Sequence, residues 1–237
     1  MNLLLLHPDD LYSPAHYRIG GRRHQHLITH LKSQVNDTLK AGLINGPLGQ
    51  AHIIHMTADS TELRFEPGEP PPVKQDITLL LALPRPKMLR RILIDATTLG
   101  VKHLILLNSY KVEKSYWSTP FLQPQAQQDI ITLALEQAGD TVPPLVQLEK
   151  RFKPFVEDRL PALMQHKLCL LAHPGKYPPL PASPVGAVLL AIGPEGGWTD
   201  YECDQLMTAG FAPHAFGQRI LRVETAVSAS VGRLSKL

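Results

Sequence analysis

Two glycine-containing segments near the carboxyl end hold the residues best suited to chemistry. Residues 193–197 (Gly-Pro-Glu-Gly-Gly) follow an apolar run at 187–192, and residues 216–226 (Phe-Gly-Gln-Arg-Ile-Leu-Arg-Val-Glu-Thr-Ala) lead into the last predicted helix. Glycine at a strand end lets a ligand approach backbone amides that a Cβ would shield. Ligands of α/β sheets usually bind at the carboxyl ends of the strands. The pattern therefore predicts one small-ligand site with two walls.

Several familiar kinds of site do not fit these residues. A P-loop requires a lysine followed by serine or threonine after its last glycine, whereas residues 196–199 read Gly-Gly-Trp-Thr. The dinucleotide fingerprint expects Gly-x-Gly-x-x-Gly after the first strand, where residues 83–86 read Leu-Pro-Arg-Pro. Histidine spacings such as His24 and His26 do not suit a metal site on a helix. Nucleotide triphosphate hydrolysis, classical nicotinamide chemistry and metal binding are therefore disfavoured.

The composition limits the kinds of protein that this chain could be. The chain has 237 residues, of which 43% are hydrophobic, enough for one large domain or two small ones with a packed core. Its two cysteines, Cys169 and Cys203, do not make a disulfide framework. The apolar start lacks the basic region of a signal peptide, and no run approaches the length that spans a membrane. We expect a cytoplasmic protein without a membrane segment.

Positive charge is concentrated in two stretches, although the net charge is only +3. Residues 16–32 hold Arg18, Arg22, Arg23 and Lys32 with no acidic residue, and residues 85–114 hold seven lysines and arginines. Such patches attract phosphate backbones without specifying sequence. The alternative for each patch is a solvated surface.

The pattern of elements changes at residues 65–72 (Phe-Glu-Pro-Gly-Glu-Pro-Pro-Pro). Before this point, short alternating segments with turns at Gly42 and Gly46 predict a small β-rich domain with one short helix at 24–32. After it, apolar strands alternate with helices, which is typical of a parallel sheet covered on both faces. Thr199 and Glu202 form a capping box that predicts a helix start. The predicted strands are 77–83, 103–107, 145–148, 167–172 and 187–192, and the predicted helices are 87–99, 125–138, 199–207 and 224–234.

The two glycine segments closely resemble the signature loops of a known family. Residues 191–198 and 216–226 are similar to those of the 16S ribosomal RNA uridine N3-methyltransferases, which belong to the SPOUT superfamily of S-adenosylmethionine-dependent RNA methyltransferases. The resemblance extends to residues 23–27 (Arg-His-Gln-His-Leu), to the basic stretch 87–101 and to residues 136–138 (Glu-Gln-Ala). It covers most of the chain.

The resemblance implies an architecture and a reaction. It implies an α/β fold with a trefoil-knotted, parallel-sheet SPOUT methyltransferase domain at residues 71–237, preceded by a small PUA-like, RNA-binding β-barrel domain at residues 1–70. It also implies a homodimer that uses S-adenosylmethionine to methylate N3 of a uridine in 16S ribosomal RNA on the small ribosomal subunit. The small residues of the last predicted helix permit close packing, either inside the fold or against a second subunit.

The family's loops assign a cofactor site. Backbone amides of the loops would bond the adenine edge, while Ile192, Ile220 and Leu221 would pack on its faces. Glu195 is placed on the cofactor side, where it could also orient the loop. The residues expected to bind S-adenosylmethionine are Ala172, His173, Ile192, Gly193, Pro194, Glu195, Gly196, Phe216, Gly217, Ile220, Leu221 and Thr225.

The reaction requires one group that stabilises negative charge on the ring and one group that accepts a proton. Uracil N3 carries a proton that must leave, so negative charge develops on the ring. An arginine favours that anion through a charge-assisted hydrogen bond to a ring carbonyl oxygen, and Arg222 is the candidate. Glu224 is a candidate proton acceptor, with the alternative role of a carboxylate favoured by the dipole of the last helix. Arg219 is either a contact to RNA phosphate or a solvated side chain.

The basic stretches are expected to bind the RNA, from which the target base would be turned out of its stack. Alternatives remain open: a SPOUT enzyme acting on another RNA position such as a ribose 2'-hydroxyl, a non-enzymatic ribosome-assembly factor, or a metabolic α/β enzyme. S-adenosylmethionine binding and a salt-dependent RNA affinity separate them. The predicted RNA-binding residues are Arg18, Arg22, Arg23, Lys87, Arg90 and Arg91.

Overall fold

The computed structural model describes residues 2–235, which divide into two compact units. The first unit extends to Val73 and also includes Thr132–Pro143, and the second begins at Lys74 and includes the rest. The later segment joins the first unit because the carbonyl oxygen of Glu136 accepts hydrogen bonds from the N–H groups of Asn2 and Leu3, both at 3.0 Å. A single boundary near residue 70 in the sequence leaves this segment out.

The first unit is built on a mixed sheet, as its alternating sequence predicts. Alternate residues of one strand, Thr61, Leu63 and Phe65, are buried, which is the period of two expected of a half-buried strand. The predicted turn at Asn45 and Gly46 is confirmed, with the Gly46 N–H bonded to the carbonyl oxygen of Leu43 at 2.8 Å. The strands are β1 (Leu4–Leu6), β2 (Leu11–Ser13), β3 (His16–Gly20), β4 (Thr38–Leu43), β5 (Leu48–Met56) and β6 (Ser60–Pro67), in the order β1-β4-β5-β6-β3-β2.

Helical turns complete the first unit. Helix α1 (Gly21–His26) continues into a π-helical segment, Leu27–Leu31, in place of the single helix predicted at 24–32. A short 3-10 turn at Pro8–Asp10 lies between β1 and β2. Of the sheet, only the β1–β4 pair is parallel.

The second unit contains the parallel sheet that the apolar runs predict. All of its strand pairs are parallel. Its inner strands are buried almost throughout, as expected of strands covered on both faces. The last strand is not predicted, because it has only three residues and one of them is Pro213. The strands are β7 (Gln75–Ala82), β8 (Val101–Leu107), β9 (Leu145–Glu149), β10 (Lys167–Ala172), β11 (Ala187–Ile192) and β12 (Ala212–His214), in the order β12-β10-β11-β7-β8-β9.

The helices begin and end where local signals place them. Pro86 occupies the first turn of its helix, where its missing N–H costs nothing. Thr199 and Glu202 form the predicted capping box, and Gly210 ends the same helix with φ of 115°. The helices are α2 (Pro86–Thr98), α3 (Pro124–Ala138), α4 (Phe152–Pro154) with a π-helical continuation at Phe155–Arg159, α5 (Leu160–Met164), α6 (Asp200–Ala209) and α7 (Val223–Leu234), with 3-10 turns at Lys114–Ser118 and Pro120–Leu122.

The last helix packs inside the second unit. Helix α7 contacts α2 and β11, and its Val227, Ser230 and Val231 are fully buried. Of its small residues, Ser230 is buried in this packing and Ala229 is exposed. In residues 2–235, no helix has both the length and the apolar character needed to cross a bilayer.

Two neighbouring strands of the parallel sheet, β7 and β11, are followed by connections that lead in opposite directions, to β8 on one side and to β12 on the other. From β7 the chain proceeds outward through β8 to β9, whereas β11 and β10 lie on the other side of β7. Ligands of open α/β sheets bind outside the carboxyl ends of the strands at such a switch point. The topology therefore directs attention to the loops that follow β7 and β11.

Candidate functional site

A cavity of about 1200 Å³ opens at this edge of the second unit. Its walls are the segments that follow β7, β8, β10 and β11, together with the bend between β12 and α7. Pockets for a single small ligand usually enclose about 300–1,000 Å³, so this cavity has room for two groups side by side. The two glycine segments singled out from the sequence belong to one lining.

The glycine segment after β11 is anchored to two other loops. The Glu195 carboxylate accepts a hydrogen bond from the Arg85 N–H at 2.9 Å, and the Lys111 ammonium donates to the Gly196 carbonyl oxygen at 2.9 Å. A turn closes between them, in which Gly197 adopts φ of 70° and donates its N–H to the Pro194 carbonyl oxygen. Only a glycine adopts that φ without strain. The loop is therefore held in one conformation.

Gly193 is required by close packing rather than by its φ. A Cβ at this position would lie 3.0 Å from the backbone nitrogen of Trp198 and 3.1 Å from its indole Cδ1, and both belong to a buried residue. At Gly196, by contrast, a Cβ would meet the Cδ of Lys111 at 3.1 Å, which is part of a flexible side chain. The two glycines therefore differ in how much a side chain would disturb the cavity wall.

The bend before α7 forms another part of the lining. Gly217 adopts φ of 76°, which turns the chain after β12, and Ile220 is 82% exposed at the cavity. Within residues 2–235, the N–H groups of Gly196, Gly217, Ile220 and Leu221 meet no protein acceptor. Amides that line a cavity and lack partners are available to the acceptors of a ligand.

Arg222 and Glu224 lie on the same wall. Arg222 is the N-cap residue of α7 and uses its carbonyl oxygen, not its side chain, to accept from Ala226 N–H at 2.8 Å. Its exposed guanidinium has no ion pair or hydrogen bond with any described residue. Glu224 is half-buried in the first turn of α7, where a carboxylate is favoured by the helix dipole. The arrangement leaves Arg222 free to act on a bound group.

A histidine and a cysteine meet at the β10 side of the cavity. The Cys203 sulfur lies 3.8 Å from His173 Nδ1. Burial lowers the pKa of His173, and the nearby Lys111 lowers it further against an opposing effect of Asp200. Burial likewise raises the pKa of Cys203, with Asp200 adding to the effect. The pair is therefore a neutral imidazole beside a protonated thiol, not an activated nucleophile.

The cavity is strongly cationic. Its lining includes five lysine and arginine side chains against two carboxylates, those of Glu195 and Glu224. Of the five, only Lys111 donates its side chain to another described residue. An unpaired cationic rim around a concave site attracts an anionic partner. The five are Arg85, Lys87, Lys111, Arg219 and Arg222.

The structure brings nearly all the predicted cofactor residues into this one lining. Thr225 is the exception, since it lies exposed on α7 outside the cavity. The cavity residues that the sequence did not single out come mostly from loops after other strands. A signal existed for Trp198, which directly follows the glycine segment. Gly197, Trp198, Val223 and Ala226 belong to the segments singled out from the sequence but have no predicted role there, and the remaining lining residues without a predicted role are Arg85, Pro86, Met88, Lys111, Tyr116, Pro174, His214 and Ala215.

The predicted RNA-binding arginines of the first unit are all ion-paired. Arg18 pairs with Glu62 at 2.8 Å and Arg22 with the buried Glu136 at 2.7 Å. These pairs neutralise much of the positive charge that the sequence places at residues 16–32.

Arg23 is the most enclosed of the three. It bonds both oxygens of Asp10 at 2.6 and 2.7 Å and also donates to the Leu5 carbonyl oxygen. Its side chain is 18% exposed and that of Asp10 is 10% exposed. Such a bidentate, mostly buried pair holds the helix α1 to the chain between β1 and β2, which is a structural role.

The basic residues of α2 are arranged differently. Lys87, Arg90 and Arg91 are all exposed, and none forms an ion pair within the part of the chain described. Lys87 also lines the cavity. Their charge is therefore available to a polyanion. In residues 2–235, no cluster of three or more histidine, cysteine or acidic side chains could hold a metal ion.

A parallel sheet whose switch point opens into a glycine-walled cavity is typical of α/β proteins that bind a small ligand. Comparison with known proteins gives the same class by an independent route. A family model described as the RNA methyltransferase domain matches residues 71–235. The chain therefore belongs to the RNA methyltransferase family, and within it to the ribosomal RNA small subunit methyltransferase E group, as its loops indicate.

Individual relatives are similar to this protein over nearly the whole chain. The ribosomal RNA small subunit methyltransferase E of Treponema pallidum is 30% identical over 240 residues, covering 97% of this chain and 89% of that protein. The ribosomal RNA small subunit methyltransferase E 1 of Borreliella burgdorferi is 24% identical over 243 residues, covering 100% and 99%. A crystal structure of the Neisseria gonorrhoeae ribosomal RNA small subunit methyltransferase E, bound to S-adenosyl methionine, superposes with a TM-score of 0.77 at 22% identity, covering 98% of this chain and 95% of that one.

Proposed function

We propose that this protein uses S-adenosylmethionine to methylate N3 of a uridine in 16S ribosomal RNA on the small ribosomal subunit. Membership of the RNA methyltransferase family supports the class of reaction. The observation that carries the proposal is a cavity whose lining includes both the cofactor-type glycine loops and Arg222, whose side chain has no partner within residues 2–235. Its volume accommodates a cofactor and a base together.

The residues present fit the cofactor. Unpartnered amides of Gly196, Ile220 and Leu221 provide donors for an adenine edge, and apolar Ile192 and Leu221 provide surfaces for its faces. Gly193 keeps the wall free of a side chain that would collide with Trp198. When bound, S-adenosylmethionine supplies an electrophilic methyl group. Thr225 is exposed and does not line this cavity, so we leave it out of the proposed cofactor set.

Residues of the chain then stabilise the negative charge on the uracil ring and accept the N3 proton. N3 of the uracil must lose its proton when it gains a methyl group. Negative charge develops on the ring as the proton leaves, before the bond to the methyl group is complete. Arg222 stabilises that charge by donating to a ring carbonyl oxygen, because its guanidinium has no competing partner in the described chain. Glu224 accepts the N3 proton from its position in the first turn of α7. Holding the groups in register can itself contribute about 7–11 kcal/mol to lowering the barrier.

The domain architecture and the oligomeric state that we propose are those implied by the resemblance to the same family. We propose that residues 1–70 act as a PUA-like, RNA-binding barrel and that residues 71–237 form a knotted SPOUT methyltransferase domain. We also propose a homodimer working in the cytoplasm. The six-stranded mixed sheet of the first unit and the order of the parallel strands in the second support these assignments without deciding them.

Nucleoside mass spectrometry of 16S ribosomal RNA tests the proposal. Small subunits from a strain lacking the gene are incubated with purified protein and S-adenosylmethionine carrying a labelled methyl group, with Arg222→Ala as the matched control. We expect labelled 3-methyluridine only with the unaltered protein. Label in a 2'-O-methylated nucleoside would make it a SPOUT enzyme of a different specificity. No label, together with no S-adenosylmethionine binding by calorimetry, would favour an RNA-binding assembly factor.

A further inference from the structure

One aromatic side chain near the cavity is exposed without any contact that explains it. Tyr110 follows β8 and is 86% exposed. Its side chain makes no hydrogen bond or ring contact with any residue from 2 to 235. An isolated exposed tyrosine is ordinary on a protein surface. The backbone of Tyr110, however, is fixed by hydrogen bonds, unlike that of a mobile surface loop.

A buried carboxylate fixes the backbone that presents this ring. Glu202 of α6 is only 2% exposed, and its Oε1 accepts the Tyr110 N–H at 2.8 Å. Its Oε2 accepts the Thr199 N–H and hydroxyl, both at 2.9 Å, and the Ser109 hydroxyl at 3.3 Å. A buried carboxylate is stable only when satisfied in this way. The ring is therefore presented from a backbone fixed to the sheet and to α6.

The same turn is joined to the cavity wall. The next residue, Lys111, lines the cavity and donates to the Gly196 carbonyl oxygen at 2.9 Å. Lys114 adds a further exposed cation on this segment, opposed by the exposed Glu113. The ring is thus one residue from the cationic lining described above.

We propose that Tyr110 positions the substrate by stacking its ring on a nucleobase of single-stranded RNA beside the base that enters the cavity. The proposal rests on the proposed function and deepens it by naming a contact to the RNA. Sites for single-stranded nucleic acid combine cations that follow the backbone with aromatic rings on which bases stack. The unpaired cations of the rim favour a polyanion over an apolar protein partner.

Binding of a labelled oligouridylate to the whole protein, measured by fluorescence anisotropy, tests the contact. We expect Tyr110→Ala to raise the dissociation constant about tenfold, the loss expected when one base–aromatic stack is removed. Tyr110→Phe keeps the ring and should stay within about twofold. Tyr201→Ala is the control, because Tyr201 is also exposed but is flanked by Asp200 and Glu202. None of these variants should change the affinity for S-adenosylmethionine.

Each outcome decides the proposal. In methylation assays on small subunits, Tyr110→Ala should raise the KM for the subunit with kcat nearly unchanged, and ultraviolet cross-linking should join RNA to a peptide containing Tyr110. Oligouridylate binding and KM that are unaltered in Tyr110→Ala would overturn the inference while the methyltransferase assignment stands. A change from dimer to monomer in sedimentation would overturn it by assigning the ring to a second copy. If RNA binding depends on the Tyr110 ring but the protein methylates no nucleoside, the inference about Tyr110 stands and the proposed function is refuted.

Discussion

Replacing Arg222 by alanine should separate activity from stability. The side chain is exposed and has no hydrogen bond or ion pair with residues 2–235, and only its carbonyl oxygen serves α7. Surface substitutions of this kind usually change stability by about 0.5 kcal/mol or less. We therefore expect the free energy of unfolding of Arg222→Ala to match that of the unaltered protein.

The loss of activity should be much larger. If Arg222 donates to the oxygen on which charge develops, its removal resembles the loss of one preorganised donor, which lowers kcat about 10²–10³-fold, or about 2.7–4 kcal/mol. The affinity for S-adenosylmethionine should be nearly intact, because the expected cofactor contacts are backbone amides and apolar side chains. Arg222→Lys keeps the charge without the planar fork, so it should recover only part of the rate.

Single-turnover methylation at saturating cofactor and subunit measures the effect, with urea unfolding and calorimetry on the same samples. Arg219→Ala is the matched control, since Arg219 is exposed on the same bend and also lacks a partner in the described chain. The defect of Arg222→Ala should shrink as pH rises, because more of the uracil is then already ionised. Turnover within a few-fold of the unaltered protein, at constant stability, would refute the role given to Arg222.

Further predictions concern the cavity wall, its support and pH. Gly193→Ala should weaken S-adenosylmethionine binding more than Gly196→Ala in calorimetry, because its Cβ meets a buried backbone atom at 3.0 Å rather than a flexible side chain; equal losses would contradict that placement. Glu202→Ala leaves several buried donors unpaired and should lower the free energy of unfolding by about 3 kcal/mol or more, whereas unchanged urea midpoints would argue against its buried network. Burial and Lys167 lower the pKa of His103, so the native state binds fewer protons than the unfolded chain, and stability should fall as pH drops below the ordinary histidine value of 6.5; His103→Gln should flatten that slope.

Local signals in the sequence predict most of the elements correctly. The run at 187–192 becomes β11 because it is apolar throughout, and Thr199 with Glu202 starts α6 because the capping box acts within four residues. The cofactor-type loops could be identified because their residues resemble a family's signature loops, in which glycines meet local demands of the backbone. Gly197 and Gly217, both with positive φ, are examples.

Long-range pairing is what the sequence does not reveal. Arg22 and Glu136 lie 114 residues apart, and nothing near either residue predicts that they meet. Lys111 reaches the cavity because β8 lies beside β7 in the sheet, which depends on strand order rather than on local sequence. Glu202 could be assigned its capping role, but not its bonds to the turn after β8, for the same reason.

The ion pairs change which cations can attract RNA. Sequence alone gives the arginines of residues 16–32 and those of α2 equal weight, because both stretches are rich in positive charge. In the structure Arg23 is enclosed with Asp10, so releasing it to a phosphate would leave a largely buried carboxylate without its partner, which is costly. Arg90 and Arg91 have no such partner in residues 2–235 and give up no ion pair when they bind phosphate. We therefore expect the electrostatic attraction for RNA to come mainly from α2, whose Lys87 lines the cavity, and from the other cations of the cavity lining.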